Sequence, residues 1–101
     1  MRWLSLVVLM ALSACSQVEN TFIVEDEHRS VTAAKLFLCG SETPLRRSGD
    51  RLAVSTVIEC EGGGHITLRY ASGGEHDCTV GYVTPAAVQS FTYRATENGC
   101  A

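Results

Sequence analysis

Two sets of residues in this 101-residue chain have the types and spacing to do chemistry. One is the five cysteines, Cys15, Cys39, Cys60, Cys78 and Cys100. The other is the run "GEHD", residues 74–77, together with His65, because imidazoles and carboxylates are the groups that hold metals or move protons. Such chemistry needs side chains that converge on one point. In a strand or a turn Glu75, His76 and Asp77 point apart, so a solvated turn is the expected fate of the run, with neither a catalytic set nor a metal site. The spacings between the last four cysteines, 21, 18 and 22 residues, contain no CxxC pair of the kind zinc sites use. No "GxSxG" elbow is present. The triple glycine, residues 62–64, lacks the Lys-Ser/Thr and helix of a phosphate loop and reads as a turn. The expectation is a protein that is not an enzyme and carries no cofactor.

The odd cysteine is explained by where it falls. Met1-Arg2 supplies one positive charge, and "WLSLVVLMAL", residues 3–12, is an apolar run of ten. Ten helical residues extend about 15 Å, half of a bilayer's hydrocarbon core, so the run is too short to span and reads as a secretory signal peptide. It closes on "LSAC", residues 12–15. This sequence resembles the lipobox of bacterial lipoproteins, in which an apolar residue and two small residues precede an obligatory cysteine. The resemblance covers residues 1–15 and implies that Cys15 becomes a diacylglyceryl thioether and the new amino terminus. In that family an Asp after the cysteine favours retention at the inner membrane. Ser16 stands there instead, which implies delivery to the periplasmic side of the outer membrane. The resemblance further implies acylation of the freed amino group, and several acyl chains anchor firmly where a single one does not.

The remaining chain divides by charge. Four acids and no Lys or Arg lie between Glu19 and His28, whereas residues 29–101 carry seven bases and seven acids. The expected organisation is a signal peptide at 1–14, a lipidated and acidic tether at 15–30, and a β domain at 31–101. Within the tether "TFIV", residues 21–24, is read as a first strand in preference to a segment that docks on a partner. A net charge of −3 with no basic stripe argues against nucleic acid as a ligand.

From residue 31 the apolar period is two. Leu52, Val54, Ile58 and Cys60 share one face, as do Ile66, Leu68 and Tyr70, then Cys78, Val80 and Tyr82, and finally Phe91, Tyr93 and Ala95. Leu36, Phe37 and Leu38 are consecutive and fit burial on both faces. Gly- and Pro-containing turns separate the runs, and connections so short favour antiparallel neighbours, so an antiparallel meander is expected over residues 52–95. "PAAVQ", residues 85–89, offers one helical turn capped by Thr84 as an alternative. The predicted fold is all-β, a small antiparallel sheet arranged as a meander, sandwich or small barrel and braced by two disulfides.

Export places the four downstream cysteines in an oxidising compartment. Six residues of strand separate Cys60 from the position facing Cys78 in such a hairpin layout, and about 20 Å at 3.3 Å per residue is too far for a disulfide. The meander brings Cys100 back towards Cys78, which leaves Cys39 for Cys60. Each bond closes about twenty residues and contributes about 3 kcal/mol in the chain-entropy model.

These features together predict a lipid-anchored, non-enzymatic binding or accessory module with a protein partner in the envelope. Arg46 and Arg47 are expected to be solvated, or to meet an acidic partner or a lipid headgroup. "YASGG", residues 70–74, is similar to the Ser-Gly inhibitory loop of the membrane-bound inhibitors of c-type lysozyme, which are also small lipoproteins with an antiparallel β-barrel. That resemblance implies inhibition of a host hydrolase. The basic and aromatic residues that follow the loop in that family are absent, and the disulfide count differs. A third possibility is a structural subunit of an envelope assembly in which "TFIV" adds a strand to a neighbour.

Overall fold

The computed structural model describes residues 18–97 and 99–101. The signal peptide at 1–14 and the lipid-attachment residue Cys15 lie outside the described residues. Nine strands follow one another: β1 (Glu19–Glu25), β2 (Val31–Leu38), β3 (Ser41–Pro44), β4 (Arg46–Ser48), β5 (Arg51–Val57), β6 (Gly62–Tyr70), β7 (Glu75–Val83), β8 (Ser90–Thr96) and β9 (Gly99–Cys100). They form two sheets, β4-β5-β1-β8-β9 and β3-β2-β6-β7. The alternation seen in the sequence is what makes this possible, since each strand offers one apolar face and two such faces bury each other. Phe22, Val24 and Leu52 from the first sheet meet Leu36, Ile66, Leu68 and Val80 from the second.

The strand read in "TFIV" is present, and residues 19–30 of the expected tether belong to the sandwich. β1 is the middle strand of its sheet, antiparallel to β5 and parallel to β8. Phe22 is fully buried and its ring stacks on Phe91 of β8 at 4.7 Å between centroids. Burying Phe22 and Val24 is worth about 1.5–3 kcal/mol each, which outweighs the acidic composition around them. The β domain therefore takes in residues 19–30 as well as 31–101. Both edges of β1 are occupied, so "TFIV" has no free edge to offer a partner.

The expected meander over 52–95 is corrected by the sheet order. Of β5 to β8, only β6 and β7 form an adjacent hairpin, and the short connections β5–β6 and β7–β8 cross from one sheet to the other. A short link limits distance but does not demand pairing, and sandwich corners satisfy the limit equally well. Two bulges also shift the face that side chains take. In β2 an extra residue between Val31 and Ala33 places Val31 and Ala34, three apart, both inward. In β7 the register runs from Gly64↔Val80 to Gly62↔Val83, one residue more on β7 than on β6. That extra residue turns Val83 into the core and leaves Tyr82 62% exposed, reversing the assignment made from strict alternation. Phe37 takes the outer face, stacked on His65, while Leu36 and Leu38 are buried.

The triple glycine opens β6 instead of forming a turn. At Gly64 a Cβ would collide with the Phe37 carbonyl and come within 2.8 Å of Leu38 Cδ1, so the close approach of β2 requires a residue without a side chain. Residues 85–89 form no helix. The Thr84 carbonyl accepts from Ala87 N at 3.3 Å in a single turn, with Ala86 at φ +66°.

Leu45 is the corner of the molecule. β3 pairs with β2 in one sheet and β4 pairs with β5 in the other, and the buried Leu45 between them still donates its N–H to the Ala34 carbonyl at 2.9 Å. One extended segment thus changes sheets in the middle. Both expected disulfides are present. Cys39–Cys60 ties the β2–β3 turn to the β5–β6 link, and Cys78–Cys100 crosses between the sheets from β7 to β9.

Candidate functional site

The residues first singled out for chemistry are dispersed by the β6–β7 hairpin. Glu75 and Asp77 share the outer face of their sheet, where Glu75 pairs with Arg69 at 2.8 Å and Asp77 accepts from Thr67 Oγ1 at 2.8 Å. His76 faces the opposite way, edge-on to the ring of Tyr70. His65 stacks on Phe37 and pairs with Thr79 of β7, two, three and four ladder positions from the positions opposite Asp77, His76 and Glu75. Among the described residues no group of three His, Cys, Asp or Glu side chains is placed to hold a metal ion. The turn 71–74, within "YASGG", is the exposed tip of the same hairpin, closed by Tyr70 N to the Gly74 carbonyl at 2.9 Å and Gly73 N to the Tyr70 carbonyl at 2.8 Å.

Arg46 and Arg47 are both exposed along β4, but the Arg47 guanidinium reaches inward and its side chain is 30% exposed. Its Nη2 donates to Asp26 Oδ2 at 2.6 Å and to the Val31 carbonyl at 2.6 Å, while Nη1 donates to the Gly49 carbonyl at 3.0 Å. Asp26 is only 1% exposed and also accepts from Ser30 N at 2.9 Å and Val31 N at 3.0 Å. Burial alone pushes its carboxyl pKa up. The Arg47 hydrogen bond, the two backbone N–H groups and the guanidinium charge together outweigh burial and hold it below the ordinary value of 3.8. Sequence reasoning missed this pair because Asp26 sits in an acidic run and Arg47 in a loop twenty-one positions on. Asp26 follows β1 at the same inward parity as Phe22 and Val24, which was the available signal.

At the opposite end of β1 the sandwich is open on one side. β4 pairs only with Arg51, Leu52 and Ala53, so the outer edge of β5 from Val54 to Val57 has no partner strand among the described residues. β3 likewise ends its sheet. Because the chain leaves one sheet for the other at Leu45, these two edges diverge and enclose a cleft of about 330 Å³. Leu36 and Leu38 lie on its walls, Ser41, Thr43 and Thr56 add hydroxyls, and Glu19 and Glu59 stand at its mouth. Thr43 and Ser41 pair with Leu36 and Leu38 and therefore share their inward face. Polar side chains at inward positions are what keep this side from closing. An unpaired strand edge offers alternating backbone donors and acceptors, and the mouth offers negative charge with no base lining it. A free strand edge beside negative charge can pair with an extended segment that carries a Lys or Arg.

No protein-family model, curated protein or solved structure matches this chain.

Proposed function

We propose that this chain is a lipoprotein anchored through Cys15 on the periplasmic side of the outer membrane, where it serves as a non-enzymatic module that binds a protein of the envelope. The observation that carries the anchor is the pairing of Cys39 with Cys60 and Cys78 with Cys100, which accounts for every cysteine but the one in "LSAC". Binding is assigned to the cleft between β3 and β5, by addition of an extended, basic segment to a free strand edge. The scattering of His65, Glu75, His76 and Asp77 favours recognition over catalysis.

Two measurements test this. Intact-mass analysis of protein from native membranes is expected to show an acylated Cys15 and four oxidised cysteines; an unmodified Cys15 removes the anchor. A photocrosslinking residue at Ser55, on the cleft, is expected to give a discrete adduct in living cells, and a silent Ser55 with a productive Ser72 moves binding to the hairpin tip. Exposure of that tip favours a second function, inhibition of a host hydrolase through residues 71–74. Undiminished lysozyme activity with excess purified domain would eliminate it.

A further inference from the structure

The position of β1 fixes more than the fold, because it shortens the tether. If Cys15 carries the lipid, only Ser16, Gln17 and Val18 separate it from β1. Four Cα steps reach at most about 14 Å, so the Glu19 end of the sandwich is confined close to the bilayer surface. β1 is about 20 Å long at 3.3 Å per residue, so this constraint alone would allow the domain to lie flat or to stand on that end.

The distribution of exposed apolar side chains separates the two poses. Among the described residues the exposed large hydrophobic side chains are Val88, 84% exposed, and Tyr82, 62% exposed. Both belong to the Glu19 end. Val88 is held there by Asn20, the second residue of β1, whose buried side chain clamps the loop on either side of it. Asn20 Nδ2 donates to the Ala87 carbonyl at 3.1 Å, and Asn20 Oδ1 accepts from Gln89 N at 2.9 Å. A fully buried polar residue at the point where the chain leaves the domain thus presents a valine to solvent beside the exit. Tyr82 sits next to the same loop with its hydroxyl donating to Glu61 at 2.6 Å, an apolar ring with a satisfied polar tip. That combination suits the boundary between headgroups and hydrocarbon.

The opposite end looks different. The hairpin tip at 71–74 and the turn at 26–30 carry no exposed large apolar side chain, and Arg29–Asp50, Arg69–Glu75 and Arg94–Glu25 cover that end with ion pairs.

We infer that the domain stands on the membrane through loop 84–89, with Val88 and Tyr82 in the lipid interface and the 71–74 hairpin pointing away. The inference rests on the anchored reading of Cys15. The contact is apolar rather than electrostatic, since the charged group shown beside it is Glu61, bonded to Tyr82, and Arg29, Arg47, Arg51, Arg69 and Arg94 lie towards the opposite end. Anionic headgroups should weaken it, and zwitterionic lipid is the better surface.

Trp3 is the sole tryptophan of the chain and falls in the signal peptide, so the processed protein has a silent background for tryptophan probes. Val88→Trp, Tyr82→Trp and Ser72→Trp, each at an exposed site, would be purified in the lipidated form and reconstituted in phosphatidylethanolamine–phosphatidylcholine vesicles containing brominated acyl chains. Quenching is expected to be several-fold stronger for Val88→Trp and Tyr82→Trp than for Ser72→Trp. Equal quenching at all three, or the strongest at Ser72→Trp, in protein whose mass shows an acylated Cys15 overturns the pose while leaving the anchor intact. An unmodified Cys15 overturns the anchor itself and the pose with it.

Discussion

The two flanks of the sandwich are closed by different means. On the β7–β9 flank, edge strands from the two sheets are joined by Cys78–Cys100 and by Tyr70, whose hydroxyl donates to the Gly99 carbonyl at 2.6 Å. On the β3–β5 flank the ties stand at the two ends, the segment that changes sheet at Leu45 with Arg47 reaching Asp26 at one and Cys39–Cys60 at the other, and the cleft lies between them. There Ser41, Thr43 and Thr56 replace apolar contacts with hydroxyls and the edges part. A disulfide on each flank does not by itself close it: between the ties, a few polar residues at inward positions suffice to leave a cleft.

The largest effect should come from opening the shut flank. Replacing both Cys78 and Cys100 by Ala is expected to cost about 3 kcal/mol in urea unfolding, from lost chain constraint in the unfolded state. Cys39–Cys60 closes a nearly equal loop, 21 against 22 residues, so the entropic model assigns both removals the same cost. The structure adds a local distinction. Only loss of Cys78–Cys100 should release β9, read as faster amide exchange at Arg94 and Ala101, whose N–H groups each donate to the other's carbonyl, while Cys39→Ala with Cys60→Ala should leave those amides protected.

Next in size is the partly closed flank. Arg47→Ala leaves the Asp26 carboxylate buried without its cation and strips donors from the Val31 and Gly49 carbonyls. Removing one partner of a buried pair costs about 3–5 kcal/mol when both are fully buried. Arg47 is partly exposed, so about 2 kcal/mol is expected, with partial rescue by Arg47→Lys, measured by the same unfolding curves. That outcome would place the anchor of this flank in a single guanidinium.

The same pair sets a pH dependence. Asp26 titrates lower in the folded protein than in the unfolded chain, so its contribution to stability is fully present above its unfolded value, near 3.8, and is lost as pH falls through the depressed folded value. The stability advantage of the wild type over Asp26→Asn should therefore hold at neutral pH and shrink as the solution is taken from about pH 5 to pH 2. An advantage that stays constant over that range would show that the carboxylate charge contributes nothing.

The contrast between flanks also explains what the sequence could and could not convey. The strands β5 to β8 were legible because their inward residues alternate, and the disulfides followed from compartment and from the direction in which β8 returns towards Cys78, which the sandwich keeps although the meander is lost. The sheet order was not legible, because a link such as 58–61 is equally short for a hairpin and for a sandwich corner. Bulges were invisible for a related reason: one additional residue in β7 exchanges the faces of Tyr82 and Val83 without changing composition. β1 was legible as a strand in "TFIV", but the acids around it hid that it belongs to the domain, and the cleft leaves no motif at all, since it consists of two strand edges that fail to meet.

The smallest expected effect probes the cleft directly. Thr43→Val, beside Leu36 on one wall, and Thr56→Val, on the other, replace hydroxyls with methyl groups of nearly the same size. If the hydroxyls hold the flank open, the double variant should draw the edges together and change unfolding free energy by no more than about 1 kcal/mol, because little area is gained on a side already half wet. Its consequence for binding should be larger than its consequence for stability, since a narrowed gap denies a partner strand the edge of β5. Crosslinking from Ser55 is then expected to fall while the unfolding midpoint stays nearly constant. Unchanged crosslinking in a protein of unchanged stability would separate the free edge from recognition and leave the cleft a packing defect of the corner at Leu45.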